Sequence, residues 1–168
     1  MSLQKLFNIP GMTLVCFLVC GCDSSPSWIS SLKPTSTFTV YEGLPHQLRE
    51  ADLLAEEKKR ADVTTIGGFP FYTPGVIAKA AQAPKFRKLL GDSSRYTLPN
   101  GVPRDCGPFH PDFAVEWKDG PQVHRFLVCF SCSEVRYLNG TSEEKLDLRG
   151  NNDWKSLLSA FSSKRPAR

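Results

Sequence analysis

The sequence predicts an α+β domain, in which a small antiparallel sheet with a central hairpin is packed by about three helices. Three observations carry that expectation. Two β-prone segments, 113–117 and 123–130, flank Asp119 and Gly120, a hairpin signal. Residues 47–61 (QLREADLLAEEKKRA) are good helix formers, with Glu50 and Asp52 early and Lys58, Lys59 and Arg60 late, the order that complements the helix dipole. Near the other end Trp154, Leu157, Leu158 and Phe161 recur at helical spacing after the capping-type NND.

The elements follow in order. Residues 38–41 (FTVY) are β-prone, and EGLP closes them as a turn. Pro45 suits the first turn of a helix, where its missing N–H costs little. Leu48, Ala51, Leu54, Ala55 and Ala61 then give that helix one narrow apolar stripe. Residues 64–78 (TTIGGFPFYTPGVIA) mix β-prone residues with Gly and Pro, the composition of an irregular or edge strand. A short helix over 84–90 stops at Gly91. LPNGVPRDCGP is loop chemistry, and the hairpin strands come next. Residues 134–138 continue the sheet to a second turn at Asn139 and Gly140.

At 168 residues the chain holds about one domain plus extras. Its 40% hydrophobic and 23% charged content excludes a disordered or fibrous chain. The extras lie at the ends. Lys5 is the only charge before Asp23, and MTLVCFLVC (12–20) is an apolar run too short for a stable bilayer span, so residues 1–22 read as an export signal. The boundary LVCGC resembles the bacterial lipoprotein signal, which implies cleavage after Gly21 and a lipid on Cys22. It departs from the usual pattern in having Cys20 where a smaller residue is commoner. A plain cleaved signal and a retained anchor are the alternatives. Residues 23–37, rich in Ser, Thr and Pro, are expected to be a flexible tether. The single domain would span 38–162, and 163–168 would be a solvated basic tail. Losing the leader removes only Lys5, so the net charge of +4 becomes +3, which calls for no nucleic acid partner. The expected partner is a membrane, through the lipid.

Residues 106–132 (CGPFHPDFAVEWKDGPQVHRFLVCFSC) contain the cysteines that lie outside the leader and two of the three histidines. If Asp119 and Gly120 make a two-residue turn, Phe113 faces Phe126 and Val115 faces His124. Phe113, Val115, Trp117, Phe126, Val128 and Phe130 then share a core face. His110 falls opposite Cys129 on the other face, with Cys106 on that side too, and Cys132 needs a bulge to join them. Cys106, His110, Cys129 and Cys132 are therefore a candidate zinc set, because Cys₃His is a common tetrahedral combination. Here Cys-x₃-His and Cys-x₂-Cys stand 18 residues apart. Against zinc, CFSCSE lacks the Gly or Pro usual beside a zinc knuckle. Three alternatives stay open: a disulfide from Cys106 to Cys129 or Cys132, buried inert thiols, and a redox-active or nucleophilic Cys129 and Cys132 pair.

His46 is a possible additional member of that cluster. Asp112, Glu116 and Glu134 are candidate acids or bases without a defined pairing. No phosphate-binding glycine loop, Gly-x-Ser-x-Gly or His-Glu-x-x-His occurs, which leaves most hydrolase and nucleotide-enzyme readings without residues. No catalytic residue is assigned.

Four motifs, YEGLPH (41–46), GFPFY (68–72), CGPFHPDFAVEW (106–117) and LVCFSCSEV (127–135), together resemble a group of small uncharacterised bacterial secreted proteins and lipoproteins. The resemblance covers roughly residues 38–161. It implies that the Cys106/His110 and Cys129/Cys132 clusters, with His46, belong to a common domain design, and it brings no activity, cofactor or partner. Pro108 in CGPF stands where a second Gly is expected. The reading is an exported, lipid-anchored envelope protein with a non-catalytic binding or structural domain, stabilised by zinc or a disulfide. An envelope thiol-redox enzyme is the alternative.

Overall fold

The computed structural model describes residues 25–60, 62–102 and 106–166. The expected leader and Cys22 lie outside the described residues. In chain order the structure forms strand β1 (Thr39–Glu42), helix α1 (Ala51–Glu57), strands β2 (Val63–Ile66), β3 (Phe69–Tyr72) and β4 (Val76–Ile77), and helix α2 (Ala83–Gly91). Strands β5 (Tyr96–Thr97), β6 (Phe113–Asp119), β7 (Gln122–Cys129), β8 (Glu134–Asn139) and β9 (Ser142–Leu148) and helix α3 (Asn151–Leu158) follow. The fold is α+β, as expected, but the sheet is larger: seven antiparallel strands in the order β4-β1-β6-β7-β8-β9-β5, with β2 and β3 as a separate hairpin. Strand β9 escaped the sequence reading because its inward positions include only two large apolar residues, Leu146 and Leu148, among charged neighbours.

The β6–β7 hairpin sits in the middle of the sheet and turns at Gly120 and Pro121, pairing Asp119 with Gln122 and Phe113 with Val128. This register is two residues from the expected one. Pro121 has no N–H for a ladder and takes a turn position, while Gly120 adopts φ +58° beside it. A slip of two keeps every side chain on its face. Phe113, Val115, Trp117, Phe126 and Val128 therefore line the main core as expected, with Phe130 packed partly buried against it.

That core fills the space between one sheet face and helices α2 and α3, which contribute Phe86, Leu89, Leu90, Trp154, Leu157 and Leu158. The helical spacing near the end of the chain is realised by α3 and a 3-10 turn, Ser159–Phe161, that buries Phe161. The opposite sheet face presents Ala114, Leu127 and Cys129 to Ile66 and Phe71 of the β2–β3 hairpin. That hairpin turns at Gly67 and Gly68, both with positive φ, and a Cβ on Gly67 would lie 2.4 Å from Leu138. Residues 64–72 are thus a hairpin with a tight glycine turn, not one irregular strand. Helix α1 is shorter than the 47–61 pattern, because Glu50, at φ −141° and ψ 41°, interrupts helical geometry before it starts.

Residues 25–37 differ most from expectation. Instead of a tether they pass into the domain: Trp28 is fully buried and its Nε1 donates to the Leu90 carbonyl at 3.0 Å. Its ring meets Tyr96 and Phe126 edge-on at 5.0 and 5.1 Å. Ser31 Oγ accepts from Trp117 Nε1 at 3.0 Å and donates to the Trp28 carbonyl at 2.7 Å. One large aromatic side chain outweighs the polar composition around it, because its burial removes more apolar area from water than any neighbour could. Among the described residues no helix is long and apolar enough to cross a membrane.

Truncating this anchor tests the arrangement. Trp28→Ala should destabilise the domain by about 3–5 kcal/mol, the usual range for a buried aromatic cut to alanine, measured by chemical denaturation. Ser30→Ala, at an exposed neighbouring position, should leave the midpoint nearly unchanged.

Candidate functional site

Strand β7 ends at Cys129, and the turn after it carries Ser131, Cys132 and Ser133, the last at φ +48°. This turn brings Cys132 against the loop before β6, where it is disulfide-bonded to Cys106 with a Cα–Cα separation of 5.4 Å. Cys129 stays free and fully buried among Phe71, Phe109, Ala114 and Leu127, its Sγ 3.3 Å from Ser131 Oγ. Phe109 packs edge-on to Phe69, and the Arg136 guanidinium lies 4.0 Å above the Phe109 ring. Cys106 is partly exposed and borders a hollow of about 290 Å³ with Gly107, Glu134 and Asp147.

His110 goes elsewhere. Its Nε2 donates to the Leu44 carbonyl at 2.9 Å, and its ring lies 4.7 Å from that of His46. His46 sits in the turn before α1, where its Nδ1 accepts from the Leu48 N–H at 3.1 Å and its own N–H donates to Glu50 at 2.8 Å. Its Nε2 is buried without a hydrogen-bond partner. Burial holds both imidazoles below their ordinary value of 6.5, helped at His46 by the Arg49 charge and at His110 by His46 itself. His124 is held down by burial too, stacked on Trp117 at 5.3 Å with its Nδ1 2.7 Å from the Tyr137 hydroxyl.

The four residues expected as zinc ligands are therefore split. Two sulfurs are joined to each other and offer no thiolate, Cys129 faces a serine hydroxyl, and the His110 Nε2 proton is engaged by a carbonyl. The described residues hold no group of three or more His, Cys, Asp or Glu placed to share a metal ion. His46 meets His110 rather than the sulfurs. The Cys-x₂-Cys pair of the redox alternative is not bonded internally, since the partner of Cys132 is Cys106. Register explains the split: Asp112 leads into β6 with its N–H on the Val128 carbonyl, so His110 is already past the strand end and cannot face Cys129.

The candidate carboxylates are also engaged. Glu116 pairs with Arg125 at 2.9 Å, and Glu134 with Arg136 at 3.1 Å. Asp112 accepts from the Phe130 N–H at 2.7 Å. The sequence reading missed Glu42 and Arg165. Buried Glu42 accepts from Ser162 Oγ at 2.7 Å and from the N–H groups of Ser163 and Lys164 at 2.9 and 2.8 Å. Arg165 reaches Glu50 at 2.7 Å and Asp112 at 3.9 Å, and Lys164 Nζ donates to the Pro74 carbonyl. The expected solvated tail is thus fastened as far as Arg165. One signal was available: Glu42 follows Val40 at the inward period of β1, and an inward carboxylate needs partners.

Two outcomes follow from this geometry. The disulfide closes a 26-residue separation, so Cys106→Ser with Cys132→Ser should lower stability by about 3–4 kcal/mol in chemical denaturation. The histidines set a pH dependence. Their folded-state values lie below 6.5, so the unfolded chain takes up protons first. Their contribution is full above pH 6.5 and is lost as the pH falls through the folded-state values. The melting temperature should drop between pH 7.5 and pH 5, and His46→Gln with His110→Gln should flatten that drop.

Compared with family models, curated proteins and solved structures, the chain matches none of them, so its function has to be argued from this geometry.

Proposed function

We propose that this protein is an exported, lipid-anchored protein of the bacterial cell envelope, whose single domain acts by binding or as a structural module and not by catalysis. The observation that supports this best is the Cys106–Cys132 disulfide, a bond that persists in oxidising compartments outside the cytosol. It agrees with the export signal read in residues 1–22 and the lipid attachment read at Cys22. The engagement of the histidines and acids in internal hydrogen bonds and ion pairs supports a stabilising part for them. The disulfide replaces zinc as the stabilising element of the cluster. Cys129, buried in β7, is a core side chain that outside reagents reach only when the β7–β8 turn opens.

The test uses the full chain expressed in a bacterial host. Cys22→Ser should move the protein out of the membrane fraction, whereas continued membrane fractionation would overturn the lipid anchor. The processed wild-type protein, trapped without reductant, should show one thiol that alkylates only after denaturation. About one zinc per chain with three protected thiols would instead establish the metal centre. Two or more thiols reacting quickly in the native state would favour the redox enzyme.

A further inference from the structure

We propose that the edge of the sheet carrying β5 faces the membrane, and that Leu98 and Val102 dip into the bilayer interface there. The inference rests on the lipid-anchor reading of Cys22 and adds to it an orientation that the fold imposes.

The described chain enters at Ser25, and from Pro26 it is held: Pro26 is buried, Ser27 Oγ donates to Glu144 of β9 at 2.7 Å, and Trp28 is in the core. Cys22 and Ser25 are three Cα–Cα steps apart, a reach of at most about 11 Å. The seven-stranded sheet is about 29 Å wide, from six interstrand spacings, so a lipid on Cys22 cannot serve its far edge.

At the near edge, Ser25, Pro26 and Ser27 line the same groove as Leu98, a hollow of about 1020 Å³. Leu98 is 77% exposed, and Val102, four residues on, is 64% exposed. Both stand in the loop between β5 and β6 and give this edge apolar side chains of the kind that enter a bilayer interface. Their surroundings are a mixed polar rim, with hydroxyls of Ser93, Ser94 and Ser142, the Arg149 cation and the carboxylates Glu144 and Asp147, which matches the paired charges of a zwitterionic headgroup layer.

The molecule supplies its own control. Ile77 is similarly exposed, at 70%, but lies on β4, the opposite edge of the sheet. The reach from Ser25 covers the edge with Leu98 and not the edge with Ile77.

The experiment uses the full-length lipidated protein, reconstituted into phosphatidylcholine vesicles with and without brominated acyl chains. The native tryptophans, Trp28, Trp117 and Trp154, are buried at 0%, 1% and 0% exposure and give a constant background. The emission added by Leu98→Trp should be lost in brominated vesicles, and that added by Ile77→Trp should persist. Val102→Trp repeats the test within the same loop. Equal quenching at both edges, or none at either while the protein still floats with the vesicles, would overturn the orientation. Folded wild-type protein that fails to float would overturn the lipid anchor, and the orientation with it.

Discussion

The pairing of β6 with β7 is the constraint on which the rest depends. Seven residue pairs, from Phe113 with Val128 to Asp119 with Gln122, fix which side chains face the helices and which face the β2–β3 hairpin. Because both faces of this pair are covered, a one-residue slip would exchange Phe113, Val115, Trp117, Phe126 and Val128 for Ala114, Leu127 and Cys129. The turn chemistry guards against it: Gly120 and Pro121 fit the turn and fit a strand poorly. The same register stops β7 at Cys129 and so throws Cys132 into the turn, where the loop carrying Cys106 meets it.

Both ends of the described chain are tied to that central unit. At the front, Trp28 closes the aromatic core against Tyr96, Phe126 and Tyr137. At the back, the segment after α3 is stitched to β1 through Glu42 and to the turn before α1 through Arg165 and Glu50. These contacts are of different kinds. An aromatic ring gains from leaving water with little demand on direction, whereas a buried carboxylate is tolerated only where donors converge on it. The segment at 162–164 supplies one hydroxyl and two N–H groups to the same carboxylate, so its course is set by hydrogen-bond geometry.

A similar argument applies to the polar interior around His46 and His110. Two imidazoles in contact, with Arg165, Glu50 and Asp112 nearby, have the residue types of a reactive centre. Part of this set is committed: one ring nitrogen to the Leu44 carbonyl, another to the Leu48 N–H, and the acids to Arg165 and backbone donors, while His46 Nε2 has no hydrogen-bond partner. Neutral imidazoles held by burial suit a packed interior, and protonating either would place a new cation beside Arg165.

How far the sequence could be read depended on the range of each interaction. The alternation over 113–130, the glycine turn and the 154–161 spacing each record a neighbour or near neighbour, and they were enough for the α+β class, the central hairpin, its two faces and the last helix. Parity even survived an error of two in the register, because a face repeats every second residue. The candidate site was legible as residues but not as a geometry. Cys106, Cys129 and Cys132 were visible, yet which pair would bond depended on where β7 ended. His46 and His110 meet across 64 positions of chain, and no local pattern records such a contact. The polar stretches at 25–37 and 162–165 misled for the same reason: composition sums over neighbours in sequence, while Trp28 and Glu42 find their partners only in the folded chain. What the sequence determined by itself was the set of elements and their inward faces; the tertiary structure alone decided the disulfide, the histidine contact and the fastening of both ends, because each joins groups far apart along the backbone.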